Sequence, residues 1–240
     1  MTLDALARAA EALGHPLSAQ QLGSFERLRE LLLDWNRRLN LTAIDDPAHV
    51  ETLHFVDSIA GLIALPAEPG TKAVDVGAGG GLPGLALRIA RPDLRLTLLE
   101  ATRKKTDYLG AAVEALGLTD PPVEVINARA EDVGRDPARR ERWDVALARA
   151  LAPLNVLAEL CLPLVRPGGL VVAWKKRDLE EELPAATRAI TVLGGRRLEA
   201  LPVDLPGLPP DRQLVCIAKE RPTPPKYPRL PGVPSKNPIS

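Results

Sequence analysis

The residues best suited to chemistry lie where an apolar run meets a glycine-rich turn, Asp75-Val76-Gly77-Ala78-Gly79-Gly80-Gly81-Leu82-Pro83-Gly84. Glycine tolerates positive φ and lets a ligand lie close to the backbone, while Pro83 suits the first turn of a following helix. Gly79, Gly81 and Gly84 satisfy the G-x-G-x-x-G spacing of dinucleotide sites, a weak signal by itself. No Gly-x4-Gly-Lys-Ser/Thr run is present, which excludes a P-loop. Two acids narrow the ligand. Asp75 stands two residues ahead of Gly77 and is expected at the lip of the pocket. A carboxylate there repels a pyrophosphate and suits a ligand carrying an ammonium and a sulfonium. Glu100 closes the next apolar run, where an acid can accept from both hydroxyls of a ribose.

Acid, glycine loop and second acid at the next strand end form the arrangement of S-adenosylmethionine-dependent methyltransferases. The bland alternative is a tight turn with two incidental surface acids. A nicotinamide-dependent oxidoreductase using the three spaced glycines is a second, opposed by Asp75; a non-catalytic RNA-binding or assembly factor is a third. Two further strand ends face the same crevice, Asn127-Ala128-Arg129-Ala130-Glu131-Asp132 and Ala148-Arg149-Ala150. Neither carries the Asn/Asp/Ser-Pro-Pro-aromatic loop that holds an exocyclic amine. Cys161 and Cys216 fall in an apolar helix and inside a strand, away from the strand-end loops. That argues against a pyrimidine C5 nucleophile.

These residues need a scaffold that brings strand ends together. Runs at 72–76, 94–99, 123–128, 144–148 and 170–174 read as strands, with helical stretches at 84–90, 104–116 and 154–164. Such alternation predicts an α/β fold with a mostly parallel sheet covered on both faces. Runs at 197–203 and 213–218 flank a Pro-Gly-Leu-Pro-Pro-Asp turn, so the last strand is expected antiparallel in a seven-stranded, Rossmann-like sheet. Residues 1–65 read as a helical extension. Phe25, Leu28, Leu31, Leu32, Trp35 and Leu39 share one helix face, Ser18 and Gln21 make a capping box, and a second amphipathic stretch covers 46–65. The catalytic domain is expected over 66–220. Seven prolines in 221–240 predict an extended tail without regular structure.

With 31 basic and 31 acidic residues the chain is neutral, yet 219–240 holds five basic residues and one acid. A basic tail on a mildly acidic body suits an anionic polymer. Two cysteines in apolar surroundings, the lack of a signal-like N-terminus and the lack of a long apolar run predict a cytoplasmic protein without a membrane partner.

The segments Asn40-Leu41-Thr42, His54-Phe55-Val56-Asp57-Ser58, 75–84, Arg91-Pro92, Ala148-Arg149-Ala150 and Trp174-Lys175 together resemble the RsmG (GidB) methyltransferases, and the resemblance spans 22–219. Lys226-Tyr227-Pro228-Arg229 with Pro231-Gly232 is similar to the C-terminus of some members. Departures are Lys176, where the family often has glycine, and Glu100, where many members have aspartate. The resemblance implies methyl transfer from S-adenosylmethionine to N7 of a guanine in small-subunit ribosomal RNA, with S-adenosylhomocysteine as product and no metal. Another RNA or a small molecule is the alternative substrate. Naked RNA and a partly assembled particle remain open, and a monomer is expected. The cofactor set is then Asp75, Gly77, Gly79, Gly81, Leu82, Glu100, Ala101, Thr102, Ala130, Glu131 and Arg149. The catalytic set is Asn40, His54, Asp57, Arg149 and Lys175. Arg103, Lys104, Lys105, Arg129, Lys175, Lys176, Lys226 and Arg229 are expected against RNA.

Overall fold

The computed structural model describes residues 3–177, 179 and 182–239. Its sheet runs β3-β2-β1-β4-β5-β8-β6, with β7 also paired to β8. The strands are β1 (Lys72–Val76), β2 (Arg95–Glu100), β3 (Glu124–Asn127), β4 (Trp143–Arg149), β5 (Val165–Lys176), β6 (Gly195–Arg197), β7 (Leu201–Pro202) and β8 (Arg212–Lys219). The first five are parallel, whereas β8 runs antiparallel to β5, β6 and β7. Seven strands form the continuous path, as expected. The run at 197–203 is not one strand but two short ones on β8, with Leu198 N still donating to Cys216 O between them.

Period-two alternation divides the core. Ala73, Leu96, Leu98, Val145, Leu147 and Cys216 bury toward one face with the N-terminal helices, while Val74, Val76, Leu99, Ala146, Ala148 and Ile217 bury toward the other. Helices Gly84–Ala90 and Arg103–Ala115 lie over the first face, and Leu154–Cys161 and Leu183–Val192 over the second. Both cysteines are buried, and burial raises the thiol of Cys216 to about 11.

Helices α1 (Asp4–Ala12) and α2 (Ala19–Leu39) begin the chain. The capping box forms, and the Gln21 side chain also donates to Ile89 O and Ala90 O, fastening α2 to helix Gly84–Ala90. Phe25, Leu28 and Leu32 are fully buried, and Trp35 meets the Tyr108 ring at 5.7 Å. The expected helix at 46–65 is composite: an α turn at Pro47–His49, a π-helical stretch Val50–Val56, another α turn at Asp57–Ile59 and a 3-10 end at Ala60–Ile63. Helices Ala130–Arg135, Leu183–Val192 and Val233–Lys236 were not expected from the sequence. The last corrects the tail: 221–239 carries a helical turn and is packed on the domain. Among the described residues no helix is long and apolar enough to cross a membrane.

Candidate active site

Because β1 to β5 are parallel, Gly77, Glu100, Asn127, Arg149 and Lys175 all arrive at one edge of the sheet. A cleft of ≈ 350 Å³ opens there, lined by Gly77, Glu100, Ala101, Thr102, Ala128, Arg129, Ala130, Glu131, Ala150, Leu151, Leu160 and Ser235 among others. Gly77 and Gly81 hold φ at +72° and +79°; a Cβ would stand 2.7 Å from Leu151 at the first and 2.4 Å from Leu85 at the second. The turn therefore needs glycine sterically as well as conformationally.

Glu100 organises the loop. Its Oε2 accepts from Gly79 N at 3.1 Å and its Oε1 from Thr102 N at 2.8 Å. An ionised carboxylate has about four acceptor positions, so two remain for hydroxyls of a ligand. Ala128, Ala130, Leu151 and Leu160 give the cleft an apolar wall suited to a flat ring. A nucleoside with a vicinal diol, as in S-adenosylmethionine, fits these acceptors and this shape.

Asp75 is placed otherwise than the sequence predicts. It does not line the cleft but lies beneath the loop, 1% exposed, where its Oδ2 accepts from Gly84 N at 2.8 Å. Burial pushes its carboxyl up to about 7, against the lowering effect of the Gly84 amide and of Arg149. Gly79, Gly81 and Leu82 likewise shape the loop without lining the cleft.

A second cavity of ≈ 520 Å³ lies beside the first, and Ala150, held at φ +53°, borders both. Its polar lining is His54, Asp57, Arg149, Lys175, Lys176, Glu182, Arg212 and Gln213. Arg149 Nη1 pairs with Asp57 Oδ2 at 3.0 Å, and its Nη2 lies 3.4 Å from His54 Nδ1. Arginine only donates, so Nδ1 is the acceptor and the ring proton sits on Nε2, which donates to Thr42 Oγ1 at 2.7 Å. Burial, then the Arg149 charge, lowers the His54 pKa to about 4, so the ring is neutral at ordinary pH. Trp174 Nε1 donates to Asp57 O at 2.7 Å and locks the helical segment to β5. Lys175 Nζ reaches Ala152 O at 3.1 Å and Glu182 Oε2 at 2.9 Å.

Sequence reasoning missed Arg212 and Gln213. Arg212 Nε approaches Asp57 Oδ1 at 3.6 Å and is a buried donor without a hydrogen bond among the described residues. Its position opposite Asp57 depends on β8 running antiparallel beside β5, a pairing that local sequence does not specify. The structure leaves Asn40 outside both cavities, as the exposed left-handed C-cap of α2 at φ +49°. Arg129 and Lys176 are exposed at the rims. Arg103 pairs with Asp107 on an exposed helix face beside Lys104 and Lys105. Lys226 is exposed, 5.3 Å from the Tyr227 ring centroid. Arg229 is not free for RNA: its guanidinium clamps buried Glu159 at 2.6 Å.

The family model described as rRNA small subunit methyltransferase G matches residues 21–208. The chain is 46% identical over 226 residues to a protein of Moorella thermoacetica named ribosomal RNA small subunit methyltransferase G, covering 94% of this chain and 93% of that one. A Roseiflexus protein of the same name is 45% identical over 237 residues, covering 99% and 100%. Among solved structures, the Haloferax volcanii complex of the Trm112 methyltransferase activator with a methyltransferase shares the fold at TM-score 0.59, with 14% identity and 79% of this chain and 98% of that one covered. A SAM-dependent methyltransferase from Aquifex aeolicus does so at TM-score 0.54, with 16% identity and coverages of 75% and 96%. The strand order, the glycine loop with its Glu100 partner, and 46% identity over nearly the whole length agree: this chain belongs to the rRNA small subunit methyltransferase G family.

Proposed function

We propose that the protein methylates N7 of a guanine in small-subunit (16S) ribosomal RNA, using S-adenosylmethionine bound in the 350 Å³ cleft. The observation that carries the reading is the pair of adjoining cavities. One suits a nucleoside cofactor; the other is rich in cations and meets the first at Ala150. The second holds Arg149, Lys175, Lys176 and Arg212 against Asp57 and Glu182, with His54 neutral. That excess of positive charge suits a nucleotide and its phosphates. The oxidoreductase and relic alternatives lose their ground with the family assignment. The work belongs in the cytoplasm, where the chain acts as a monomer on RNA or a partly assembled particle.

When bound, S-adenosylmethionine supplies an electrophilic methyl on a sulfonium. Guanine N7 presents an in-plane lone pair and no proton, so no general base is needed. A neutral His54, its tautomer fixed by Arg149 and Thr42, serves orientation rather than proton removal. Transfer of that methyl to N7 would pass the positive charge to the base and leave a neutral thioether. Positioning dominates such a step and is worth up to about 7–11 kcal/mol. Arg149, held by Asp57 in the second cavity next to the shared Ala150 and not in the lining of the first as the sequence predicts, would set the base against the cleft. Arg212 lines the second cavity beside Asp57, where the outer nitrogens of its guanidinium would serve O6 or a phosphate. Donation to O6 leaves N7 unblocked.

The division of labour is testable with two variants. Glu100→Gln should weaken S-adenosylmethionine binding about 10- to 150-fold by calorimetry, the cost of one charge-assisted hydrogen bond. Arg212→Gln should leave that affinity alone and lower kcat/KM on small-subunit RNA by a similar factor. If both variants lose cofactor affinity equally, the two-cavity reading is wrong.

A further inference from the structure

We propose that the C-terminal segment is a wall of the cofactor cleft, with Ser235 a cofactor-binding residue positioned through Glu131. The proposal rests on the assignment of that cleft to S-adenosylmethionine. It gives 221–239 a role distinct from an RNA-binding arm.

The segment has two halves of unequal anchorage. From 219 to 229 it is tied down heavily. Buried Lys219 reaches Leu162 O at 2.7 Å and Glu141 Oε1 at 3.1 Å, and it bonds the Thr223 hydroxyl. Arg140 gathers four carbonyls, donating to Gly134 O, Thr223 O and Tyr227 O at 2.6–2.8 Å and to Pro224 O at 3.4 Å. Arg229 closes this half with a forked pair to Glu159, Nη2–Oε2 at 2.6 Å and Nε–Oε1 at 2.9 Å. Beyond it the described polar ties to the domain are two: Gly232 N donates to Glu131 Oε1 at 2.9 Å, and Asn155 Nδ2 donates to Ile239 O at 3.2 Å. This lightly held half carries Ser235 to the cleft, where it lines the same space as Gly77, Glu100 and Glu131.

Glu131 joins the segment to the cleft. It is 4% exposed and lines the cleft, and the same carboxylate receives the Gly232 amide. A cofactor that contacts Glu131 and Ser235 therefore senses whether the segment is docked. By linkage, docking strengthens cofactor binding by the factor with which cofactor strengthens docking. Opening of 230–239 alone, with the Arg229–Glu159 clamp intact, provides an entry and exit route that leaves the core untouched.

The test uses the full chain and a truncation that ends at Arg229. Calorimetry with S-adenosylmethionine should give a Kd at least about tenfold higher for the truncated protein, as expected for lost contacts of hydrogen-bond strength. Its thermal midpoint without cofactor should stay near that of the full chain, because the clamp remains. Hydrogen exchange on the full chain gives an independent reading: cofactor should slow exchange at Gly232, Lys236 and Asn237. An unchanged Kd after truncation, or exchange indifferent to cofactor, overturns the proposal. Failure of the full chain itself to bind S-adenosylmethionine is a different result, which overturns the cofactor assignment and this proposal with it.

Discussion

His54 links the cation-rich cavity to pH. Its folded-state pKa, lowered to about 4 by burial and then by Arg149, lies below the ordinary 6.5. The ring thus contributes stability that is complete above pH 6.5 and is lost as pH falls toward 4, where the unfolded chain takes a proton that the fold refuses. The loss amounts to about 3 kcal/mol at most. Urea unfolding at pH 7, 5.5 and 4.5 should show that component in the wild type and not in His54→Gln. Asp75 has the opposite sign. Its carboxyl, raised to about 7 by burial, favours the fold fully below pH 3.8 and less as pH rises through 7. An Asp75→Asn variant should therefore gain on the wild type over that window, measured by the same unfolding curves. Equal pH dependence of the two proteins would show that Asp75 is not held as buried as the structure places it.

At the scale of elements, the glycine loop is the strictest requirement. Gly81→Ala must accept φ +79° and a Cβ 2.4 Å from Leu85 Cδ1. The left-handed conformation alone costs a β-carbon roughly 1–2 kcal/mol. A lowered melting temperature together with weakened cofactor binding is expected; full retention of both would mean that the loop takes another shape. The strands, this loop and the α2 face were legible because period-two alternation, glycine clustering and a capping box are local signals. The composite segment 47–63 was legible as helical but not as π-helical in its middle, since periodicity does not distinguish the two over a few residues. The placement of Asp75 beneath the loop was not legible either. Sequence puts it beside the turn, and only the helix start at Gly84, nine residues on, supplies the amide that draws its carboxylate inward.

On the scale of the whole molecule, long-range pairs decide what local patterns do not. Proline content suggested an extended tail, but Arg229 and Glu159, 70 positions apart, fasten it to the domain. Arg229→Met should cost about 3–5 kcal/mol by stranding a nearly buried carboxylate. It should leave the salt dependence of RNA binding unchanged, whereas a phosphate contact would reduce the slope by about 0.7–0.9. Arg212 and Gln213 belong to the same lesson, since β8 brings them to the cavity only after the sheet has closed around β5. The central claim is that both cavities serve one methyl transfer, and it reduces to the identity of the product. The measurement is incubation of the purified protein with small-subunit RNA, free and as particles from cells lacking the enzyme, and methyl-labelled S-adenosylmethionine. Nuclease mapping and mass spectrometry then locate the label. A single methyl on N7 of one guanine is predicted; a methyl on an exocyclic amine, a ring carbon or a ribose oxygen, or no transfer to either form of the RNA, would contradict it.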